Sequence, residues 1–146
     1  MNTQLDILLV EDNPQDAELT ILALKGSNIS NHIIHLTDGQ QALDYLFGTG
    51  EGVLPVANLR PKVVLLDLKL PKVDGHEVLR QIRAHEQTKL IPVVVLTSSK
   101  EDRDVHNAYN IGANSYIVKP VDFEKFAAAI STLNVYWCLM NERPNY

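Results

Sequence analysis

Val63-Val64-Leu65-Leu66-Asp67 is an unbroken apolar run that ends on a carboxylate. Four apolar residues without in/out alternation fit a central parallel strand covered by helices on both faces. The next eight residues, Leu68-Lys69-Leu70-Pro71-Lys72-Val73-Asp74-Gly75, hold two clusters of turn formers and leave no room for regular structure. The chain therefore leaves the sheet directly after Asp67. In open α/β sheets the carboxyl ends of the strands are where sites form.

Working outward, residues 5–10 (Leu-Asp-Ile-Leu-Leu-Val) form a second buried-strand run that also meets acids, Glu11 and Asp12. Asn13-Pro14 then supplies a cap and a first-turn proline, which predicts a helix to about Lys25 with Ala17, Ile21 and Leu24 on one face. Residues 32–37 read as a strand, Asp38-Gly39 as a turn, and Ala42, Leu43, Leu46 and Phe47 as the apolar side of a short helix. Residues 48–61 are an irregular connection of unusual length. Beyond Asp67, a helix over residues 75–85 turns Val78, Leu79 and Ile82 inward, and residues 91–96 form the next strand, running into Thr97. Residues 102–110 are a polar helix with only Val105, Ala108 and Tyr109 to bury, stopped by Gly112. Residues 115–118 are a fifth strand, followed by Lys119-Pro120, and Asp122 caps a last helix with Phe126, Ile130, Leu133 and Trp137 at helical spacing.

Five strand-then-helix units without a two-residue hairpin imply parallel crossovers, hence an α/β fold with a doubly wound five-stranded parallel sheet. The flavodoxin-like (βα)5 arrangement, strand order 2-1-3-4-5, is the economical choice. It makes strands 1 and 3 neighbours and brings Glu11, Asp12 and Asp67 into one pocket at the switch point. Three adjacent carboxylates repel one another unless a pKa rises or a hard cation sits among them. Oxygen ligands from Asp12, Asp67 and a nearby backbone carbonyl suit Mg²⁺ completed by water. The hydroxyl of Thr97 and the ammonium of Lys119, at the other strand ends, are what a phosphorylated carboxylate needs.

With 146 residues the chain is long enough for one domain with its own core. A net charge of −5 with no cluster of Lys and Arg disfavours nucleic acid. No basic, then long apolar, amino-terminal segment predicts export or a membrane span, so a cytoplasmic location is expected. The single cysteine, Cys138, has no partner for an internal disulfide, and the five histidines show no zinc spacing.

Four motifs together resemble the receiver domain of response regulators in two-component signalling. They are Ile-Leu-Leu-Val-Glu-Asp-Asn at 7–13, Leu-Leu-Asp-Leu-Lys-Leu-Pro-Lys-Val-Asp-Gly at 65–75, Val-Val-Val-Leu-Thr-Ser-Ser at 93–99 and Gly-Ala-Asn-Ser-Tyr-Ile-Val-Lys-Pro at 112–120. The resemblance covers about residues 6–133 and implies a single receiver domain over 1–146, with 134–146 as a helical extension. It implies that Asp67 is the phosphoacceptor and that Asp12, with Asp67 and the Lys69 carbonyl, binds Mg²⁺ while Glu11 completes the acid pair indirectly. Thr97 becomes the switch hydroxyl, Tyr116 the switch aromatic and Lys119 the cation for the phosphoryl group. A sensor histidine kinase and a downstream protein target are the implied partners. The 48–61 loop, Pro120-Val121-Asp122-Phe123 and the aromatic-rich end are closest to small stand-alone regulators partnered with phytochrome-type kinases. Lys69 departs from the neutral or acidic residue common at that position, which bears on the lifetime of the phosphoryl group.

Blander roles remain open for single residues: Asp67 as a helix cap, Thr97 as a β-branched strand residue, Tyr116 as a core aromatic and Lys119 as a turn residue. Among rival functions, a haloacid-dehalogenase-type phosphatase needs a second acid two residues after its nucleophile, and Lys69 stands there. A flavodoxin needs a Ser/Thr/Gly-rich phosphate loop after strand 1, which is lacking. A phosphorelay carrier and a terminal regulator look alike in this sequence. Residues 135–140, Val-Tyr-Trp-Cys-Leu-Met, are apolar throughout, which predicts a two-fold homodimer through the last helix.

Overall fold

The computed structural model describes residues 7–26, 32–48, 61–98 and 100–131. Strands and helices alternate as β1 (Ile7–Val10), α1 (Pro14–Gly26), β2 (Ile33–Leu36), α2 (Gly39–Phe47), β3 (Val63–Leu66), α3 (Gly75–Ala84), β4 (Val93–Thr97), α4 (Asp102–Ile111), β5 (Ser115–Val118) and α5 (Phe123–Ser131). All strand pairs are parallel, in the order β2-β1-β3-β4-β5. This is the expected doubly wound, flavodoxin-like sheet.

The unbroken apolar runs are explained by the two cores they serve. Leu8, Val10, Val64, Leu66, Val93 and Val95 face one way and pack with Ala42, Leu46, Val78, Leu79, Ile82 and Ala108 from α2, α3 and α4. The alternate residues Ile7, Leu9, Val63, Leu65, Val94 and Leu96 face the other way, against Ala17 and Leu24 of α1 and Phe126 of α5. Side chains on successive strand positions point to opposite faces, so a strand buried on both sides has no polar position.

Helix starts follow the local chemistry. Asn13 Oδ1 accepts the backbone N–H groups of Gln15 at 2.9 Å and Asp16 at 3.0 Å, satisfying donors that the first turn of α1 leaves open. Asp38, Asp74 and Asp122 cap α2, α3 and α5 in the same way, accepting from Gln41, Glu77 and Lys125. At the end of α4, Gly112 has φ +130° and donates its N–H to Ala108 at 3.1 Å, the predicted stop.

Two expectations need correction. β4 begins at Val93 and not at Ile91, because Pro92 has no N–H for the ladder and the Ile91 N–H is taken by Thr88 at 3.0 Å in the preceding turn. Tyr109 is 48% exposed, whereas its neighbour Ala108 is fully buried. One residue rotates a helix by about 100°, which carries Tyr109 off the packed stripe. The 48–61 loop apart from its ends, and Leu133, Trp137 and the rest of the tail, lie outside the described residues.

Candidate functional site

The sheet ladder continues one residue past the strands and sets the acids side by side. Glu11 donates its backbone N–H to Leu36 at 2.9 Å, and Asp67 donates its own to Val10 at 3.0 Å. Neighbouring strands lie roughly 4.8 Å apart, so the two carboxyl ends share one rim. Glu11, Asp12 and Asp67 each offer a carboxylate oxygen, and these oxygens lie within 4.8 Å of one another. Glu11 and Asp67 are buried while Asp12 is exposed.

Lys119 closes the pocket from β5. Its backbone N–H bonds the carbonyl of Thr97 at 2.8 Å, continuing the β4–β5 pairing in which Thr97 lies opposite Val118. The peptide bond to Pro120 is cis. Its ammonium then reaches three carboxylates: Glu11 at 2.5 Å, Asp16 at 3.0 Å and Asp67 at 3.2 Å. Asp67 Oδ1 also accepts the Lys69 N–H at 3.3 Å, so the loop after β3 folds back on its own acid. That loop is further held by Gly75, whose N–H bonds the Leu68 carbonyl at 2.8 Å, and by Gly39 at the start of α2, whose N–H bonds Pro71 at 3.2 Å.

Electrostatics in the pocket pull in two directions. The Glu11 carboxyl is pushed up to about 7, chiefly by burial and also by the charge of Asp67, against hydrogen bonds from Lys119 and the Asn13 backbone that favour ionisation. Burial acts to lower the pKa of Lys119, yet its hydrogen bonds to Glu11 and Asp16 and the charges of Asp67 and Glu11 outweigh it and hold the ammonium above its ordinary range. The cation is therefore permanent at physiological pH. Both partners are desolvated, Glu11 the more deeply, its side chain 1% exposed against 12% for Lys119.

The three-acid set fits a hard divalent cation. All donors are oxygen, they converge, and Asp12 opens to solvent so that water can fill the remaining positions of an octahedron. Thr97 is fully buried at the end of β4. Tyr116, opposite Val95 in the register, is half-buried against the α2–α3–α4 core and, with Tyr109, Ile117 and Lys125, lines a shallow groove between α4, β5 and α5.

The response regulator receiver domain model matches residues 7–131. The chain belongs to that family. Among receiver proteins, the probable methanogenesis regulatory protein FilR2 of Methanothrix harundinacea is 45% identical over 141 residues, covering 94% of this chain and 86% of the relative. The solved bacteriophytochrome response regulator RtBRR superposes with a TM-score of 0.82 at 51% identity, covering 97% of this chain and 85% of that one. The Mn²⁺-bound form of the response regulator Rcp1 superposes with a TM-score of 0.73 at 37% identity, covering 95% of this chain and 98% of that one. This receiver chain is thus similar to regulators named for phytochromes and to one solved with a divalent metal.

Two residues of the pocket escaped the sequence. Asp16 sits in the first turn of α1, where an acid reads as an ordinary answer to the helix dipole; nothing in its spacing points to Lys119. His35, on the edge strand β2, places Nε2 2.8 Å from the Glu11 carbonyl and so braces the backbone that carries both acids. The one available signal for His35 was its position opposite Leu9, two residues before the acid pair, once strands 1 and 2 are set parallel.

Proposed function

We propose that this chain is a stand-alone response regulator that accepts a phosphoryl group on Asp67 from a sensor histidine kinase and signals through phosphorylation-dependent contacts with a downstream protein. The observation that carries this is the Lys119 ammonium held 3.2 Å from a strand-end carboxylate that also belongs to a three-acid oxygen cluster. The likeness to bacteriophytochrome response regulators supports a phytochrome-type kinase as the donor. In the transfer, a carboxylate oxygen of Asp67 bonds to phosphorus as the phosphorus–nitrogen bond of the kinase phosphohistidine breaks. The imidazole nitrogen leaves with the electron pair. Asp12, Asp67 and the Lys69 carbonyl would hold Mg²⁺, with Glu11 acting indirectly; when bound, the ion neutralises charge on the phosphoryl oxygens. Lys119 supplies a positive charge beside the same carboxylate. Hydrolysis of the acyl phosphate in the same pocket would reset the protein.

Among the described residues no helix is long and apolar enough to cross a membrane. A cytoplasmic location is part of this reading, because the phosphohistidine of the kinase and Asp67 have to meet in one compartment. The chain's −5 charge argues against nucleic acid as the downstream target. Handing the phosphoryl group on to a second histidine, as a relay carrier, uses the same chemistry in reverse. The direct test is incubation with Mg²⁺ and a small acyl phosphate. One acid-stable, alkali-labile phosphoryl group per chain is expected, and none in chelator; equal labelling in chelator would reject the metal assignment.

Thr97 and Lys119 are assigned to the response after transfer, and Tyr116 to its relay toward α4 and β5. A conformational switch needs contacts that differ between its two states. Lys119→Ala is expected to take up label but to lose the phosphorylation-induced change in amide exchange over α4 and β5. A charge-assisted contact is worth about 1.5–3 kcal/mol, so the switching equilibrium should move by roughly 10- to 150-fold. A full wild-type exchange response in that variant would make Lys119 a bystander.

The apolar run at 135–140 lies outside the described residues, and its homodimer is kept as a proposal on sequence grounds. Sedimentation at micromolar concentration should give a dimer for the full chain and a monomer for a chain ending at Asn134. A full-length monomer at high micromolar concentration would reject it.

A further inference from the structure

Asp16 lies outside the acid cluster that would hold the cation, yet it is one of three anions on the Lys119 ammonium. An ammonium has three N–H donors and no more. Glu11, Asp16 and Asp67 occupy them, at 2.5, 3.0 and 3.2 Å. Any phosphoryl oxygen that takes a hydrogen bond from Lys119 must displace a partner already there.

The three partners differ in what their release would cost. Glu11 is 1% exposed, so freeing it would strand a buried carboxylate without its counter-charge. Asp67 is the residue whose carboxylate is phosphorylated, so it carries the incoming group. Asp16 is 36% exposed, so water can replace the ammonium at its carboxylate. Its backbone is also fixed independently of Lys119, because the Asp16 N–H is held by the Asn13 side chain at 3.0 Å. Release therefore leaves α1 in place.

Resting on the phosphoacceptor role of Asp67, we propose that Asp16 is a positioning residue, a resting seat for the Lys119 ammonium that competes with the phosphoryl group and gives way when Asp67 is phosphorylated. The device has three consequences. It keeps the ammonium paired in the unmodified protein, and it sets a threshold that the phosphoryl group must exceed before Lys119 moves. It also couples α1 to β5 in one state only, since Asp16 lies on α1 and Lys119 follows β5. That gives the switch a differential contact in addition to those assigned to Thr97 and Tyr116.

The test is a titration with beryllofluoride in Mg²⁺, followed by calorimetry or ¹⁹F NMR. Asp16→Asn is expected to bind beryllofluoride about twofold to fivefold more tightly than wild type, the range of one partly exposed ion pair. Asp16→Glu, which keeps the charge, is expected to return to the wild-type value, and Asp16→Ser serves as a second neutral variant should the asparagine fail to fold. In a Lys119→Ala background the gain from Asp16→Asn should vanish, as coupled partners require. Unchanged or weaker binding by both neutral variants would overturn the proposal, and so would a gain that persists without Lys119, because that would be a diffuse charge effect. If wild type bound no beryllofluoride, or Asp67→Asn bound it equally, the phosphoacceptor role itself would fall and the proposal with it.

Discussion

Asp67→Asn is expected to reduce acyl-phosphate labelling at least about a hundredfold, a deficit of roughly 2.7 kcal/mol or more in transition-state terms, while leaving the fold intact. The substitution keeps the shape of the side chain, and an amide oxygen can still accept the Lys69 N–H that Asp67 takes at 3.3 Å. Lys119 keeps Glu11 and Asp16. What disappears is the anionic oxygen that attacks phosphorus, and an amide is no substitute. Stability should report the same change with the opposite sign. Without metal, the pocket sets Glu11, Asp16 and Asp67 on a single ammonium with Asp12 beside two of them, so removing one negative charge relieves repulsion and the melting temperature should hold or rise. With Mg²⁺, wild type should gain stability as the ion binds the native state, and the variant should gain much less. Phosphate incorporation and thermal unfolding, each with and without Mg²⁺, check both halves. Persistent labelling of the variant would move the acceptor to another residue.

Much of this pocket could be seen in the chain before its structure. The strands are legible because both faces of the sheet are covered: residues 7–10, 63–66 and 93–96 have no polar position, and each run ends at or just before a functional side chain. Parallel strands followed from the missing hairpins, and the economical order 2-1-3-4-5 made the acids at the ends of β1 and β3 neighbours, as they are. Helix starts were equally open at Asn13 and Asp122, each of which caps the turn that follows.

What stayed hidden depends on contacts between segments far apart in sequence. Asp16 and Lys119 are 103 residues apart, and an acid in a first helical turn has an ordinary local explanation that conceals its partner. His35 is hidden for the same reason, its role set by the parallel pairing of β1 and β2. Tyr109 was misplaced because an apolar residue on a polar helix was counted as core, when the stripe of α4 is narrow enough to bury Ala108 alone. Gly75 was legible as the end of a turn, but not as a point of close approach.

That approach gives the second large effect. A Cβ built on Gly75 would lie 2.2 Å from the Asp67 carbonyl oxygen and 2.5 Å from the Leu68 Cα. Both neighbours are backbone, and neither can turn aside as a side chain would. Gly75→Ala must therefore push α3 away from the end of β3 or drag the peptide of Asp67 with it. The first movement breaks the 2.8 Å bond from Gly75 N–H to Leu68, and the second shifts the phosphoacceptor. Overpacking of this kind costs about 1–3 kcal/mol, which in a chain of this size lowers the melting temperature by roughly 2–12 °C. Labelling should fall as well, since a displacement near 1 Å at a reacting group can cost on the order of a hundredfold. Gly112→Ala separates the two effects. Gly112 has φ +130°, and its added Cβ would meet the Arg83 side chain at 2.9 Å, at the opposite end of β5 from Lys119. That variant should lose stability through backbone strain while its folded fraction labels at the wild-type rate. If Gly75→Ala behaved like Gly112→Ala, stability alone would be at stake and the Asp67 peptide would have to be less sensitive to its neighbour than a 2.2 Å clash allows.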